Sequence, residues 1–265
     1  MKLLHTTGML IRIAFIFTLV AVPALSQSPA PPVHNIVLVH GAWADGSSWA
    51  KVIPLLEAKG YHVTAVQNPL TTFADDVAAT NRVIDAQDGP VLLIGHSYGG
   101  AVITEAGNNP KVVGLVYVAA FAPDSGDSAG SLGKPYGATP GVLELRPLGD
   151  GFLVLTPKGV QEDFGPDLTP SERNLLLATQ TPTQGAALGA PVSTAAWHTK
   201  PSWFVIAAND RMISPQQERD TAKRMHSKTL VLPTSHVPML SKPKEVADFI
   251  SRAAEGRDNP VPPTL

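Results

Sequence analysis

The run Val91–His96 (VLLIGH) restricts the possible folds more than any other part of this chain. It is short, almost wholly apolar, preceded by Gly89-Pro90, and followed directly by Ser97-Tyr98-Gly99-Gly100 and the helix-forming stretch Ala101–Ala106. A strand with one face in water alternates apolar and polar side chains; a strand covered on both faces does not. The run is therefore expected inside a parallel sheet with helices on both sides.

The rest of the chain repeats that rhythm. Asn35–His40 (NIVLVH), His62–Val66, Val112–Ala120, Trp203–Ala208 and Thr229–Leu232 read as further strands. Helical patterns lie between them at about Ser48–Lys59 (closed by Gly60), at Phe73–Ala86 and at Pro243–Ala253. Strands alternating with helices predict an α/β class, a doubly wound, mostly parallel sheet within one domain over 35–254. One stretch departs from the rhythm. From Phe121 to about Pro191 there is no convincing buried strand, only Gly/Pro-rich loop and weak helix. Its best local signal is Thr169-Pro170-Ser171-Glu172, a capping box opening a helix to about Thr179. An insertion of this length after a strand's C-terminal end is expected to form a helical and loop cap over a site.

The first 26 residues read as a signal peptide: Lys2 and Arg12 supply positive charge, Ile13–Val22 is a short apolar core, and Ala24-Leu25-Ser26 offers small residues for cleavage. The apolar core is shorter than the roughly 20 residues a spanning helix needs, so no stable membrane insertion is expected after cleavage, and the compartment is secreted or periplasmic. Gln27–His34 is a Pro-rich linker, and 255–265 a flexible Pro-containing tail. Cysteine is absent, which excludes disulfides, thiolate catalysis and Cys-based metal sites. The formal charge is −2 with basic residues scattered, so nucleic acid is not an expected partner. No His/carboxylate group shows metal-ligand spacing, and neither a metal nor another cofactor is implied.

The pentapeptide G-x-S-x-G occurs twice, around Ser97 and around Ser128. A nucleophile elbow is a tight strand-to-helix turn that projects its serine. Only Ser97 has a strand arriving and a helix departing; Ser128 is read as plain loop. His40-Gly41-Ala42-Trp43 follows the first strand, so the backbone N–H groups of Ala42 and Tyr98 are the expected oxyanion donors. A base must take the serine proton, and eight histidines compete. His5 and His34 lie in the signal and linker, His40 and His96 flank the motifs, His62 opens a strand, His198 lies near the insertion's end and His226 ends a helix. His236 sits in a loop after the last short strand, at the sheet edge where strand C-termini converge. Asp210 directly follows the strand Trp203–Ala208 on that edge, in the order nucleophile, acid, base. Asp124, in a Pro/Ser/Gly turn, is the rival acid.

Val37–Trp43, Gly95–Gly100, Asn209–Pro215 and Ser235-His236 with Met239–Pro243 together resemble the α/β-hydrolases related to plant methylesterases and hydroxynitrile lyases. The likeness runs from about His34 to Arg252 and is strong in the motifs, loose in the insertion. It implies the α/β-hydrolase fold and a cofactor-free carboxylic ester hydrolase with Ser97, Asp210 and His236 as triad. The lyases carry threonine and lysine where this chain has Gly41 and Val237, which disfavours cyanohydrin cleavage. The group often has aspartate before its catalytic histidine, where this chain has Ser235. A lactonase or amidase would use the same triad, and the fold also hosts non-catalytic receptors. The expected substrate is a small, fairly apolar ester, with aromatic esters included. Phe152, Leu153, Leu155, Leu175–Leu177, Leu188 and Trp197 either line its pocket or pack the insertion onto the domain.

Overall fold

The structure, a computed structural model, describes Lys2 and residues 33–256. The expected signal segment apart from Lys2, the linker up to Pro32 and the tail beyond Gly256 lie outside the described residues.

Six strands form one parallel sheet: β1 (Asn35–Val39), β2 (His62–Ala65), β3 (Val91–Ser97), β4 (Val112–Ala120), β8 (Ser202–Ala207) and β9 (Lys228–Leu232), in the order β2-β1-β3-β4-β8-β9. Every residue of β1, β3 and β8 is buried, and β4 exposes only Val113. The edge strands β2 and β9 are half-exposed. Each fully buried Val, Leu or Ile contributes about 1.5–3 kcal/mol, so the four central strands carry the core. The helices Phe73–Asp85, Tyr98–Ala106, Pro215–Arg224 and Pro243–Ala254 accompany the sheet. The last turns Val246, Ala247, Phe249, Ile250 and Ala253 inward.

After β1 the chain crosses to β2 on one side and then returns to β3 on the other. Strand order therefore reverses between β1 and β3, and a crevice opens beyond their C-terminal ends. The loop His40-Gly41-Ala42 leaves β1 at that point and Ser97 ends β3 beside it. Tyr98 anchors the turn: its hydroxyl donates to Asp76 Oδ2 at 2.7 Å, and Asp76 Oδ1 accepts the Leu70 N–H at 2.8 Å. Burial raises the Asp76 carboxyl above its ordinary range, partly offset by these hydrogen bonds.

Three local expectations change. The helix expected over Ser48–Lys59 is two short pieces, a 3-10 turn Gly46–Trp49 and a helix Ile53–Glu57. Pro54 explains the break, because proline lacks the N–H a continuing helix needs and is accepted only in a first turn. The insertion also contains strands: β5 (Leu145–Gly149) and β6 (Phe152–Leu155) form an antiparallel hairpin, and β7 (Thr183–Gln184) pairs with β6. Its turn is Asp150-Gly151, both at positive φ, the two-residue chemistry that hairpins favour. Finally, Ser128 is not plain loop. It caps the helix Ala129–Gly133, in a capping box with Ser131, and so is held in local hydrogen bonds. The Thr169 capping box opens the helix Pro170–Ala178.

Candidate active site

Ser97 ends β3 with φ 53° and ψ −124°, a conformation that costs a non-glycine residue on the order of 1–3 kcal/mol. Close approach of the surrounding backbone holds it there. A Cβ on Gly95 would lie 2.5 Å from the Gly99 carbonyl oxygen, and one on Gly99 2.5 Å from that of His40. β4 follows the turn with a bulge: Ser97 pairs with Ala120, and Ala119 takes φ 45°. Such bulges commonly re-aim a strand beside a functional site.

The structure brings Ser97, His236 and Asp210 together. Ser97 Oγ lies 2.8 Å from His236 Nε2, and His236 Nδ1 lies 2.6 Å from Asp210 Oδ2. Asp210 Oδ1 accepts the N–H groups of Met212 at 2.7 Å and Ile213 at 2.9 Å, which fixes the carboxylate plane. The carboxylate holds the imidazole proton on Nδ1, and the Nε2 lone pair accepts from the serine hydroxyl. All three side chains are buried. This arrangement can deprotonate a serine and carry the resulting positive charge.

The expected oxyanion donors border the same space. Ala42 and Tyr98 line a cavity with Ser97, and a Cβ on Gly41 would meet Ser97 Cβ at 2.7 Å. Only glycine allows this loop so near the nucleophile. Tyr98 opens its helix, so its N–H has no partner one helical turn back.

Among the other histidines, His40 accepts the Asn68 N–H at Nε2 and meets the Gly41 carbonyl at Nδ1, both at 2.9 Å. Burial lowers its pKa. His96 Nε2 donates to the His236 carbonyl at 2.8 Å. Burial, reinforced by the neighbouring His236, holds His96 well below its ordinary pKa, so it remains neutral. His198 Nε2 lies 2.8 Å from Asp124 Oδ1. The rival acid thus serves another histidine, away from Ser97.

Residues that the sequence did not single out hold the site in place. Ser235, beside His236, donates its N–H to Asp167 Oδ2 at 2.9 Å and its hydroxyl to Asp167 Oδ1. The insertion thus sets a carboxylate against the residue that precedes His236. Arg211, beside Asp210, pairs with buried Asp163 at 2.6 Å. Trp43, beside Ala42, donates its N–H to Thr183 Oγ1 and its indole N–H to the Leu153 carbonyl, each at 3.0 Å. Glu218 is fully buried, with Oε2 accepting the Ala207 N–H at 2.9 Å and Oε1 without a donor. Burial, then the charge of adjacent Asp210, pushes the Glu218 carboxyl well above its ordinary range. Glu218 is thereby driven toward the protonated form.

The cavity that Ser97 faces has a volume of about 400 Å³. Its apolar wall comes from Phe121, Val142, Leu145, Leu188, Met212 and Ile213. Of the insertion residues weighed as pocket lining, Leu188 alone borders it; Leu155 and Trp197 are buried in packing and Leu175 is exposed.

Two outcomes are expected. Asp167→Ala frees the Ser235-His236 loop, and misplacing a base by about 1 Å costs up to about 10²-fold in rate; a fall in kcat with little change in KM checks this, and an unchanged kcat refutes it. For Glu218→Gln, the comparison is stability against pH. Native Glu218 holds a proton that the unfolded chain releases, so wild-type stability falls as pH rises above the ordinary glutamate range toward the raised native value. The variant lacks this loss, and its advantage over wild type grows with pH by at most about 1.4 kcal/mol per unit. Urea melts from pH 4.5 to 8 that stay parallel would contradict it.

The chain matches the Alpha/beta hydrolase family over residues 36–249. It is 29% identical over 265 residues to a pyrethroid hydrolase of Sphingobium wenxiniae, covering 84% of this chain and 88% of that protein. It is 25% identical over 262 residues to Methylesterase 1 of Arabidopsis thaliana, covering 83% and 96%. A crystal structure of a pyrethroid hydrolase from Sphingobium faniae, 24% identical, shares the fold with a TM-score of 0.73 over 84% of this chain and 97% of that one. With its parallel sheet, its strand-end serine and a match spanning most of its length, the chain belongs to the α/β-hydrolase family.

Proposed function

We propose that this carboxylic ester hydrolase cleaves small, neutral, fairly apolar esters, aryl esters among them, through an acyl-enzyme on Ser97. The observation that carries the reading is the continuous hydrogen-bonded chain Ser97–His236–Asp210 opening into a mainly apolar cavity. His236 Nε2 takes the hydroxyl proton as Ser97 Oγ bonds to the ester carbonyl carbon. The carbonyl oxygen becomes an oxyanion, held by the Ala42 and Tyr98 N–H groups. His236 then protonates the leaving alcohol as the ester C–O bond breaks. In the second half, His236 deprotonates water, which attacks the acyl-enzyme and returns Ser97 and the free acid. Asp210 stabilises the imidazolium in both halves. The names of the relatives, a pyrethroid hydrolase and a methylesterase, agree with ester chemistry.

The sequence also supports export. The segment 1–26 has the charge, apolar core and small-residue site of a signal peptide, and on this reading the mature enzyme is secreted or periplasmic.

Ser97→Ala should lower hydrolysis of 4-nitrophenyl acetate by about 10⁴-fold or more in folded protein; retained turnover would sink the nucleophile assignment. Mass spectrometry of protein recovered from the exported fraction should show an N-terminus at Gln27. Intact protein confined to the cytosol would refute export.

A further inference from the structure

Gln217 lies in the first turn of the helix Pro215–Arg224, is 4% exposed, and lines the cavity that Ser97 faces. Its carboxamide makes no hydrogen bond among the described residues. A buried amide offers two donors and two acceptor lone pairs, and such groups are ordinarily satisfied. Unpartnered atoms sealed inside packed protein occur at Asn68 and Gln87; Gln217 is not among them, and it lines the cavity.

The other polar groups around the cavity are committed or peripheral. The Ser97 hydroxyl is engaged with His236, and Thr139 Oγ1 donates to the Met212 carbonyl at 2.8 Å. Lys134 is exposed. Gln217 also borders a neighbouring cavity of about 330 Å³, where the charged groups Asp220 and Arg224 are engaged elsewhere. Asp220 accepts from Tyr136 and Gln216, and Arg224 donates to the Ala122 carbonyl. Nothing on that side claims the amide.

We propose that Gln217 is a specificity-determining residue that donates a hydrogen bond to a second neutral polar group of the substrate, a ketone or amide carbonyl, away from the ester that Ser97 attacks. This rests on the ester-hydrolase reading above and narrows it from apolar esters in general to oxo- and amido-esters. A neutral amide in an apolar cavity favours a neutral carbonyl over a carboxylate, which would need a counter-charge. It also disfavours an all-hydrocarbon chain, which would displace water from the amide and offer nothing in return.

The test compares 4-nitrophenyl hexanoate with the 4-oxohexanoate and 5-oxohexanoate esters, each corrected for spontaneous hydrolysis. Wild type, Gln217→Leu and Gln217→Met are measured, with active sites titrated by a fluorophosphonate so that only folded enzyme is counted. Intrinsic reactivity differences cancel when the oxo/hexanoate ratio of kcat/KM is compared between proteins. For at least one oxo-ester, that ratio should fall about tenfold in both variants, the effect of losing one good hydrogen bond. A ratio that is the same in all three proteins overturns the role of Gln217 while leaving ester hydrolysis standing. Wild type that cleaves none of the three esters overturns the ester reading and this inference with it.

Discussion

Ser97 must end a buried strand and begin a helix within one residue, and it does so at φ 53°. That constraint propagates outward. The turn is tight enough that Gly95 and Gly99 tolerate no Cβ, and the β1 loop comes close enough that Gly41 tolerates none either. β4 must bulge at Ala119 to keep pairing beyond it. The strain is affordable because β3 is buried along its whole length and cannot relax without exposing its neighbours. The reversal of strand order between β1 and β3 then sets the Gly41-Ala42 loop beside Ser97 at the mouth of one crevice.

Much of this was legible because the central strands are buried on both faces, so their sequences are unbroken apolar runs with ends marked by Gly, Pro or Asp. Val112–Ala120 matches its observed strand, and Trp203–Ala208 differs by one residue at each end. Ser97 and Asp210 were readable because they lie at the C-terminal ends of such strands, and His236 because its loop follows the short edge strand at the same sheet edge. The insertion was less legible. β5 is mostly exposed and contains Pro147, so it lacks the apolar signature, and β6 is apolar but only four residues long, although Asp150-Gly151 was a usable turn signal. Asp167, Glu218 and Gln217 had no local signature. Each gains its role from residues distant in the chain or from a cavity that exists only after folding.

The insertion touches every loop that forms the site. Trp43 ties the β1 loop to Leu153 and Thr183, Asp163 grips Arg211 beside Asp210, and Asp167 holds Ser235 beside His236. Gly141 N–H and Thr139 Oγ1 add hydrogen bonds to the Arg211 and Met212 carbonyls. Asp163 and Phe164 come from a π-helical turn, Val160–Phe164, and the Phe164 ring lies edge-on to His236 at 5.2 Å between centroids. Isolated loops at strand ends would sample many conformations, and fixing each costs backbone entropy. One packed segment that binds all three restrains them together. Swinging it away as a free lid would release the site it covers.

The charges follow the same logic. Several ionisable groups are buried close to Ser97, and low polarity penalises every one that ionises. Burial drives His40 and His96 toward the neutral form and drives Asp76 and Glu218 toward the protonated form. The hydrogen bonds are consistent with this: His96 uses its one proton on the His236 carbonyl, and Glu218 presents a free oxygen beside Asp210. At Asp210, two backbone N–H groups and the His236 imidazole all direct hydrogen at its oxygens. In the proposed reaction, these hydrogen bonds support negative charge at Asp210 where positive charge appears on His236 as it takes the serine proton. Were Glu218 also ionised, the second negative charge would strengthen the imidazolium and hinder its return of that proton to the leaving alcohol. The neutral carboxyl next to the triad thus bears on turnover as directly as on stability.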